Sequence, residues 1–249
     1  MTPRTRRWFL VTGLLVFVLV VASGLSLIVD HVLPRKPFSA TATVAAGTSL
    51  RVAADAADIT LRAGTDESVH VTATGDYPYT ATPNTMTAST ADSVTTVTGG
   101  CRSACSLHLD ITLPATLTVQ AEVKSGSITL ADLTGPLTAR TQSGSIEVAN
   151  PASPVELHSG SGQIVVHGSR SNRLIASAAS GEVRVGFIAV PTAVTITTAA
   201  GHVDLNLPTA EYYIDATSRS GTSTIDVPNN RYAGNTIKVK TESGGIDIH

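Results

Sequence analysis

The 249-residue chain is predicted to be all-β: a parallel β-solenoid (β-helix) with 18–23-residue coils, preceded by one N-terminal transmembrane helix. Two observations carry the solenoid. A phrase Ser-Gly-x-Ile/Val-x-Leu/Val recurs through the second half of the chain, and apolar residues alternate with polar ones on either side of it. A third observation, a long uncharged run near the N-terminus, carries the helix.

The phrase first stands at Ser125-Gly126-Ser127-Ile128-Thr129-Leu130 and returns at Gly144, Gly162, Gly181, Gly201, Gly221 and Gly244. Repeats at a fixed short period signal stacked units that cannot bury an apolar side alone. Seven residues before each Gly stand Val119, Leu137, Val155, Leu174, Val194, Ile214 and Ile237. Two after it stand Ile128, Ile146, Ile164, Val183, Val203 and Ile246. In the Gly221 copy the apolar positions read as slipped by two residues, onto Ile225 and Val227. Alternation is the strand period. Its parity is odd before the Gly and even after it, so the chain must turn a corner there for both arms to face one interior. Gly suits such a corner because it adopts backbone angles other residues avoid. Seven coils stacked at the strand spacing make a rod section about 34 Å long.

Composition agrees. The chain is rich in small and β-branched residues, with 4% aromatic and 14% charged side chains, which suits a narrow β interior. The net charge of −2 gives no basic patch for a nucleic-acid partner. Arg4, Arg6 and Arg7 precede every acidic residue, and the remainder carries 14 basic against 19 acidic groups, a net of −5.

Residues 1–7 read as a cytoplasmic tail. Residues 8–29, opening at Trp8 and closing at Val29, are uncharged, and as a helix they span about 33 Å, enough for a bilayer core. The basic tail sets the N-terminus inside, so the chain is expected to be a single-pass protein of the plasma membrane with its β domain outside. A cleaved signal peptide is the alternative, although Val20-Val21-Ala22 matches a small-x-small site poorly. Residues 30–37 form a stiff linker around Pro34 and Pro37.

Residues 38–113 are strand-like but less regular, with candidate strands at 41–44, 49–53, 58–61, 68–73, 93–98 and 107–113. They are read as irregular first coils that cap the regular array of 114–249; a separate small β domain is the alternative. The two cysteines, Cys101 and Cys105, are expected to form a structural disulfide in an extracytoplasmic domain; a zinc pair would lack its second pair of ligands.

The run Ile111-Thr112-Leu113-Pro114, Val119 and the Ser-Gly-x-Ile/Val coils resemble the bacterial putative-adhesin family, well over 107–249 and loosely over 38–106. The resemblance implies an extracytoplasmic β-solenoid, often membrane-anchored, and carries no catalytic residues.

Several constellations are candidates for chemistry. Three positions after the Gly, Arg184, Asp204, Asp226 and Asp247 should form an outward ladder, and stacked carboxylates at Asp204, Asp226 and Asp247 suit Ca²⁺; a solvated acidic face, with Arg184 pairing Asp204, is the plainer reading. Four before the Gly, Glu122, Arg140 and His158 follow one another, with Glu122–Arg140 a surface pair. Carbohydrate-active enzymes built as β-helices would use such ladders, but glycoside hydrolysis needs two placed carboxylates in a cleft, and no motif assigns them. The chain is therefore read as non-enzymatic, with no cofactor. The loops between coils lengthen toward the C-terminus and hold Phe187, Tyr212, Tyr213 and Tyr232, with Asn229, Asn230 and Arg231 beside the last. Tyr212, Tyr232, Asn230 and Arg231 are the candidates for contact with a glycan or an envelope protein, and Phe187 and Tyr213 are expected in the core. The last coil, closing at Ile248-His249, reads as an uncapped edge for self-association by strand addition. The expected role is an adhesin-like binding or scaffold surface of the bacterial envelope; a polysaccharide lyase or hydrolase, and a structural subunit of an envelope signalling complex, are the alternatives.

Overall fold

The computed structural model describes residues 35–79, 85–101 and 105–249; the expected membrane segment at 8–29 lies outside them. The described chain forms twenty-one strands and no helix long and apolar enough to cross a membrane. They are β1 (Lys36–Ala45), β2 (Ser49–Ala56), β3 (Asp58–Gly64), β4 (Ser68–Tyr77), β5 (Thr85–Ala91), β6 (Val94–Gly100), β7 (Ser106–Pro114), β8 (Thr118–Ser125), β9 (Ile128–Ala131), β10 (Leu137–Ser143), β11 (Ile146–Ala149), β12 (Val155–Ser161), β13 (Ile164–Ser169), β14 (Arg173–Ser180), β15 (Val183–Phe187), β16 (Ala193–Ala200), β17 (Val203–Asn206), β18 (Tyr212–Ser220), β19 (Ser223–Ile225), β20 (Asn235–Ser243) and β21 (Ile246–Ile248). Each candidate strand of 38–113 is found; β5 is an addition to them.

The arms before the glycines form one sheet and the arms after them another. The first runs β18-β20-β16-β14-β12-β10-β8-β2-β6-β5, the second β1-β4-β7-β3-β9-β11-β13-β15-β17-β21-β19. Pairing is parallel and in register along the repeats: Leu137 aligns with Val119 and Val155, and Ile146 with Ile128 and Ile164. These aliphatic columns are buried and belong to one hydrophobic core that runs from Leu50 to Ile248. Antiparallel pairing is confined, among the described residues, to β1–β4, β4–β7 and β5–β6 at one end.

The corner glycines stack in a column. Gly144 has φ +149°, and a Cβ there would lie 2.0 Å from the Gly126 carbonyl oxygen. The parity change in the sequence therefore reflects a sterically closed corner. A second column of left-handed residues follows six positions after the first three glycines: Asp132 (φ 59°), Asn150 (φ 53°) and Gly168 (φ 65°). Asp, Asn and Gly are the residues that tolerate this region, and the Asn150 amide donates to Asp132 at 2.9 Å.

Coil order differs from chain order at both ends. The last coil, β20–β21, is inserted between β16–β17 and β18–β19. Likewise β2–β3 lies inside β6–β7. The expectation that Ile246–Ile248 forms the open end is thereby corrected: β21 has β17 on one side and β19 on the other, and the terminal coil is β18–β19. The expected two-residue slip in that coil is also absent, because Ser223 aligns with Ile246 and Ile225 with Ile248. Ser223 occupies an apolar position of the pattern because all of β19 is exposed.

Cys101 and Cys105 form the disulfide, with Cα atoms 5.9 Å apart.

Candidate functional site

Three polar regions are candidates, one on each sheet face and one on the loop edge.

On the outer face of the β8–β10–β12 sheet, Glu122, Arg140 and His158 are in register neighbours as expected. The ion pairing is not the expected Glu122–Arg140 pair. Arg140 Nη2 donates to Glu156 Oε1 at 2.6 Å, and His158 Nε2 lies 2.8 Å from the same oxygen. Glu156 sits two residues before His158 on the same strand face and diagonally across from Arg140, so a column count along one position misses it. The hydrogen bond from His158, aided by the Arg140 charge against a smaller desolvation effect, holds the Glu156 carboxyl below its usual range. All three side chains are solvent-accessible, and such pairs contribute about 0–1 kcal/mol. Two open hollows flank Arg140: one of about 340 Å³, lined by Arg51, Gln120, Thr138 and Glu156 among others, and one of about 500 Å³, lined by His158, Ser177 and Thr197 among others.

A glycosidase acid needs a carboxyl with a raised pKa. Among the described residues, every carboxyl that departs clearly from its usual value departs downward. Glu156 and Asp66 do so through hydrogen bonds from His158 and His70. At Asp58 partial burial pushes upward, but hydrogen bonds from the Ser127 hydroxyl and amide outweigh it.

On the opposite sheet the ladder at the third position after Gly reads Arg184, Asp204, Asp247, Thr224 in spatial order. Asp204 and Asp247 are neighbours. Asp226 is not in the row, because the coil does not slip; its amide instead donates to the Ile248 carbonyl at 2.8 Å. The three-carboxylate Ca²⁺ site is therefore not formed, and no group of three His, Cys, Asp or Glu able to hold a metal occurs among the described residues. The carboxylates have cationic or imidazole neighbours: His249 Nε2 lies 3.0 Å from Asp204, Arg184 Nε 3.6 Å from Asp204, and His202 Nε2 3.2 Å from Asp247. The expected Arg184–Asp204 pairing is present, and Arg184 also pairs with Glu182.

The loop edge divides the expected contact residues. Tyr212 is fully buried, 0% exposed, and its hydroxyl donates to the Pro208 carbonyl at 2.9 Å; burial pushes its pKa up. It is a core residue. Tyr213, expected inside, is 38% exposed. The two exchange roles because β18 starts at Tyr212, an inward position in register with Asn235. Phe187 is buried as expected.

Tyr232 is 80% exposed. Arg231 lies over its ring at 4.7 Å, and its guanidinium donates to the Tyr232 hydroxyl at 2.5 Å. Asn230 fixes the turn: its side-chain oxygen accepts from the Tyr232 amide at 3.0 Å, and its amide donates to Glu211 at 3.2 Å. The structure thus brings Asn230, Arg231 and Tyr232 together and leaves Tyr212 beneath them. Ile188 and Val190, exposed on an inter-coil loop of the same edge, extend its apolar character.

Asn229 has a separate task. Its side-chain amide accepts from the Ile214 N–H at 3.0 Å and donates to the Ile214 carbonyl at 2.9 Å. It imitates a peptide group and closes part of the free edge of β18.

Two stacked, mostly parallel sheets with glycine corners, polar faces and a loop edge that carries Tyr232 define a stacked-coil β protein. The chain belongs to the Toastrack DUF4097 family, which it matches over residues 48–249, in agreement with the resemblance carried by the Ser-Gly repeats. Solved structures similar to it include a "putative adhesin" from Bacteroides fragilis, 13% identical, TM-score 0.48, covering 85% of this chain and 97% of that one. Another "putative adhesin", from Parabacteroides distasonis, is 12% identical, TM-score 0.47, covering 86% and 97%. A third, from the same species and named a "putative lipid binding protein", is 11% identical, TM-score 0.41, with 86% and 97% covered. No curated protein matches the chain.

Proposed function

We propose that the protein is a non-enzymatic, adhesin-like binding module of the bacterial envelope. Residues 8–29 anchor it in the plasma membrane with the N-terminus inside, and the stacked sheets present their loop edge outside the cell. The contact surface is the edge formed by Asn230, Arg231 and Tyr232, and its ligand is an envelope glycan or protein.

The observation that supports this most directly is Tyr232: a large aromatic ring held almost fully in solvent by a hydrogen-bonded turn. Exposing it has no packing reward for the monomer. A fixed ring beside a guanidinium and amides suits stacking on a sugar face or entering a protein pocket at low entropic cost. The hollows beside Arg140 are open, and Glu156, which lines one of them, is held ionised by His158 and Arg140 rather than kept protonated for acid catalysis.

The test uses the full chain in mild detergent on an array of bacterial surface glycans and purified envelope proteins. Saturable binding that falls about tenfold with Tyr232→Ala, a loss of about 1.4 kcal/mol, is the expected result. Binding untouched by Tyr232→Ala and Arg231→Ala would remove the surface from consideration. Release of new sugar ends by the wild-type chain would replace the reading with the enzymatic one.

A further inference from the structure

The terminal coil offers a free strand edge, and its charges match those of a second copy. β18 pairs with β20 on one side. On the other, Asn229 and Asn230 cover its first residues: Asn230 N–H donates to the Tyr212 carbonyl at 2.8 Å, and Asn229 serves Ile214. A strand directs the amide and carbonyl of alternate residues to the same side. Since the Ile214 backbone N–H and C=O face Asn229, away from β20, those of Ala216 and Ser218 face the same way after it, where no strand lies beside them among the described residues. Exposed edges of this kind template pairing.

The side chains say what pairs. Asp215, Thr217 and Arg219 are exposed on the outer sheet face. We infer that β18 pairs antiparallel with β18 of a second copy across a two-fold axis at Thr217. That register sets Ala216 opposite Ser218 of the partner as hydrogen-bonded pairs, in agreement with their outward backbone groups. It sets Asp215 opposite the partner's Arg219, and Arg219 opposite the partner's Asp215. Opposite charges directly across a strand pair are favourable. The existing sheet continues the rule: Asp215 aligns with Lys238 of β20, and Arg219 lies beside Glu242, between the aligned pairs Ser218–Thr241 and Ser220–Ser243. The sign then alternates across the joined sheets as Lys238, Asp215, Arg219, Glu242, read in both directions. Isologous pairing of this sort closes as a dimer. The opposite edge of the same sheet carries no such code, since β5 (Thr85–Ala91) has no charged residue. The inference does not depend on the Tyr232 surface.

The two-fold gives a direct test in the full chain. Thr217 faces its own copy as a non-hydrogen-bonded pair, with Cα atoms about 4.5 Å apart, within disulfide reach. The native cysteines are paired with each other. Thr217→Cys under mild oxidation is expected to give a covalent dimer as the main species. Adding Ala216→Pro, which removes an outward N–H at a position where an edge strand accepts proline, abolishes it while thermal melting shows the fold kept. Adding Asp215→Arg cuts dimer yield at least tenfold, and adding Arg219→Asp to it recovers part of the yield, because the cross-copy pairs return while like charges then face Lys238 and Glu242 within each chain. A Thr217→Cys chain that stays monomeric, cross-links equally with Ala216→Pro, or couples to a different protein overturns the inference. So does equal cross-linking by Asp215→Cys, which lies off the axis.

Discussion

The two ends of the stack are built alike in topology and opposite in cover. At each end the chain lays down an outer coil and an inner one out of sequence order: β6–β7 outside β2–β3, and β18–β19 outside β20–β21. At the first end β1, β4 and β5 continue the sheets as antiparallel strands, and Leu107, Leu109, Ile111 and Leu113 of the outer coil are all buried. At the second end no strand follows among the described residues. Tyr212 and Ile214 at the start of β18 are still buried, but beyond them the inward positions fall to Ala216, Ser218 and Ser223, β19 has no buried residue and Ile225 is exposed. A covered outer coil is a core layer along its whole length, whereas the bare one keeps core residues only at the start of β18 and is polar from Asp215 onward, apart from Ala216 and Ile225. The sequence of the bare coil has adapted to exposure, and a loop asparagine substitutes for part of a missing strand.

The largest effect that tests this contrast comes from removing the inserted coil. In a stack following chain order, loss of residues 235–249 would strip one terminal layer. Here β18 has β20 as its strand neighbour, so residues 212–225 should detach too. A chain stopped after 234 is expected to show unprotected amides throughout 212–225 by hydrogen exchange, and to melt at the same temperature as a chain stopped after 211. Retained protection in 212–225 would contradict the inserted order. Next in size is the corner itself. Gly144→Ala combines a left-handed backbone with a Cβ 2.0 Å from the Gly126 carbonyl, and should cost at least about 2 kcal/mol. Gly234→Ala, in the loop at the bare end, meets nothing within 4 Å and should stay within about 0.5 kcal/mol of wild type. Urea titration of both variants measures the difference.

The middle of the molecule was legible because its signal is periodic and its cause is steric. Each Ser-Gly marks a corner, each aliphatic column a buried register, and Ile128, Ile146 and Ile164 stack as the spacing requires. The ends were not legible, for a physical reason: which coil lies beside which is decided by pairing between segments far apart, and β21 fits beside β17 as well as β19 would by pattern alone. Ser223 carried the clue. A polar residue in an aliphatic column reads as a slip in the repeat, whereas it marks an exposed layer. At the candidate site, the placement of Asn230, Arg231 and Tyr232 on a loop and the exposure of Tyr232 were legible from composition and position between the repeats. Tyr212 and Tyr213 were exchanged because β18 extends two residues before Ile214, so the alternation that turns Ile214 inward turns Tyr212 inward too and leaves Tyr213 outside. Glu156 was missed because one partner, Arg140, lies diagonally and the other, His158, two residues along its own strand, so neither shares its column, and Asn229 because an edge cap has no period. The second corner at Asp132, Asn150 and Gly168 was visible only as three residue types that share a tolerance for the left-handed region.

The smallest effect probes where the regular stack meets the inserted coil. Three positions before the corner glycines, inward hydroxyls donate to the stacked carbonyls: Thr141 to Gly126 at 3.3 Å, Ser159 to Gly144 at 3.2 Å, Ser218 to Gly244 at 2.8 Å and Thr241 to Gly201 at 3.4 Å. Thr198, in β16 just before the inserted coil, is 1% exposed, and its hydroxyl is the buried side-chain oxygen without a hydrogen-bond partner among the described residues. Its corner, Gly201, is also the one of the seven outside the left-handed region. A buried hydroxyl without a partner loses its water and gains nothing in return. Thr198→Val keeps the shape and removes that cost, so it should leave stability unchanged or raise it by up to about 1 kcal/mol, a rise in Tm of about 2–4 °C at most. Thr141→Val removes a hydroxyl that is bonded, and should lower stability by about 0.5–1.5 kcal/mol. The two substitutions are chemically identical and sit in the same column, so opposite signs in a thermal melt would isolate the changed corner at Gly201. Equal losses would mean that Thr198 is bonded like its neighbours and that the column runs unbroken into the inserted coil.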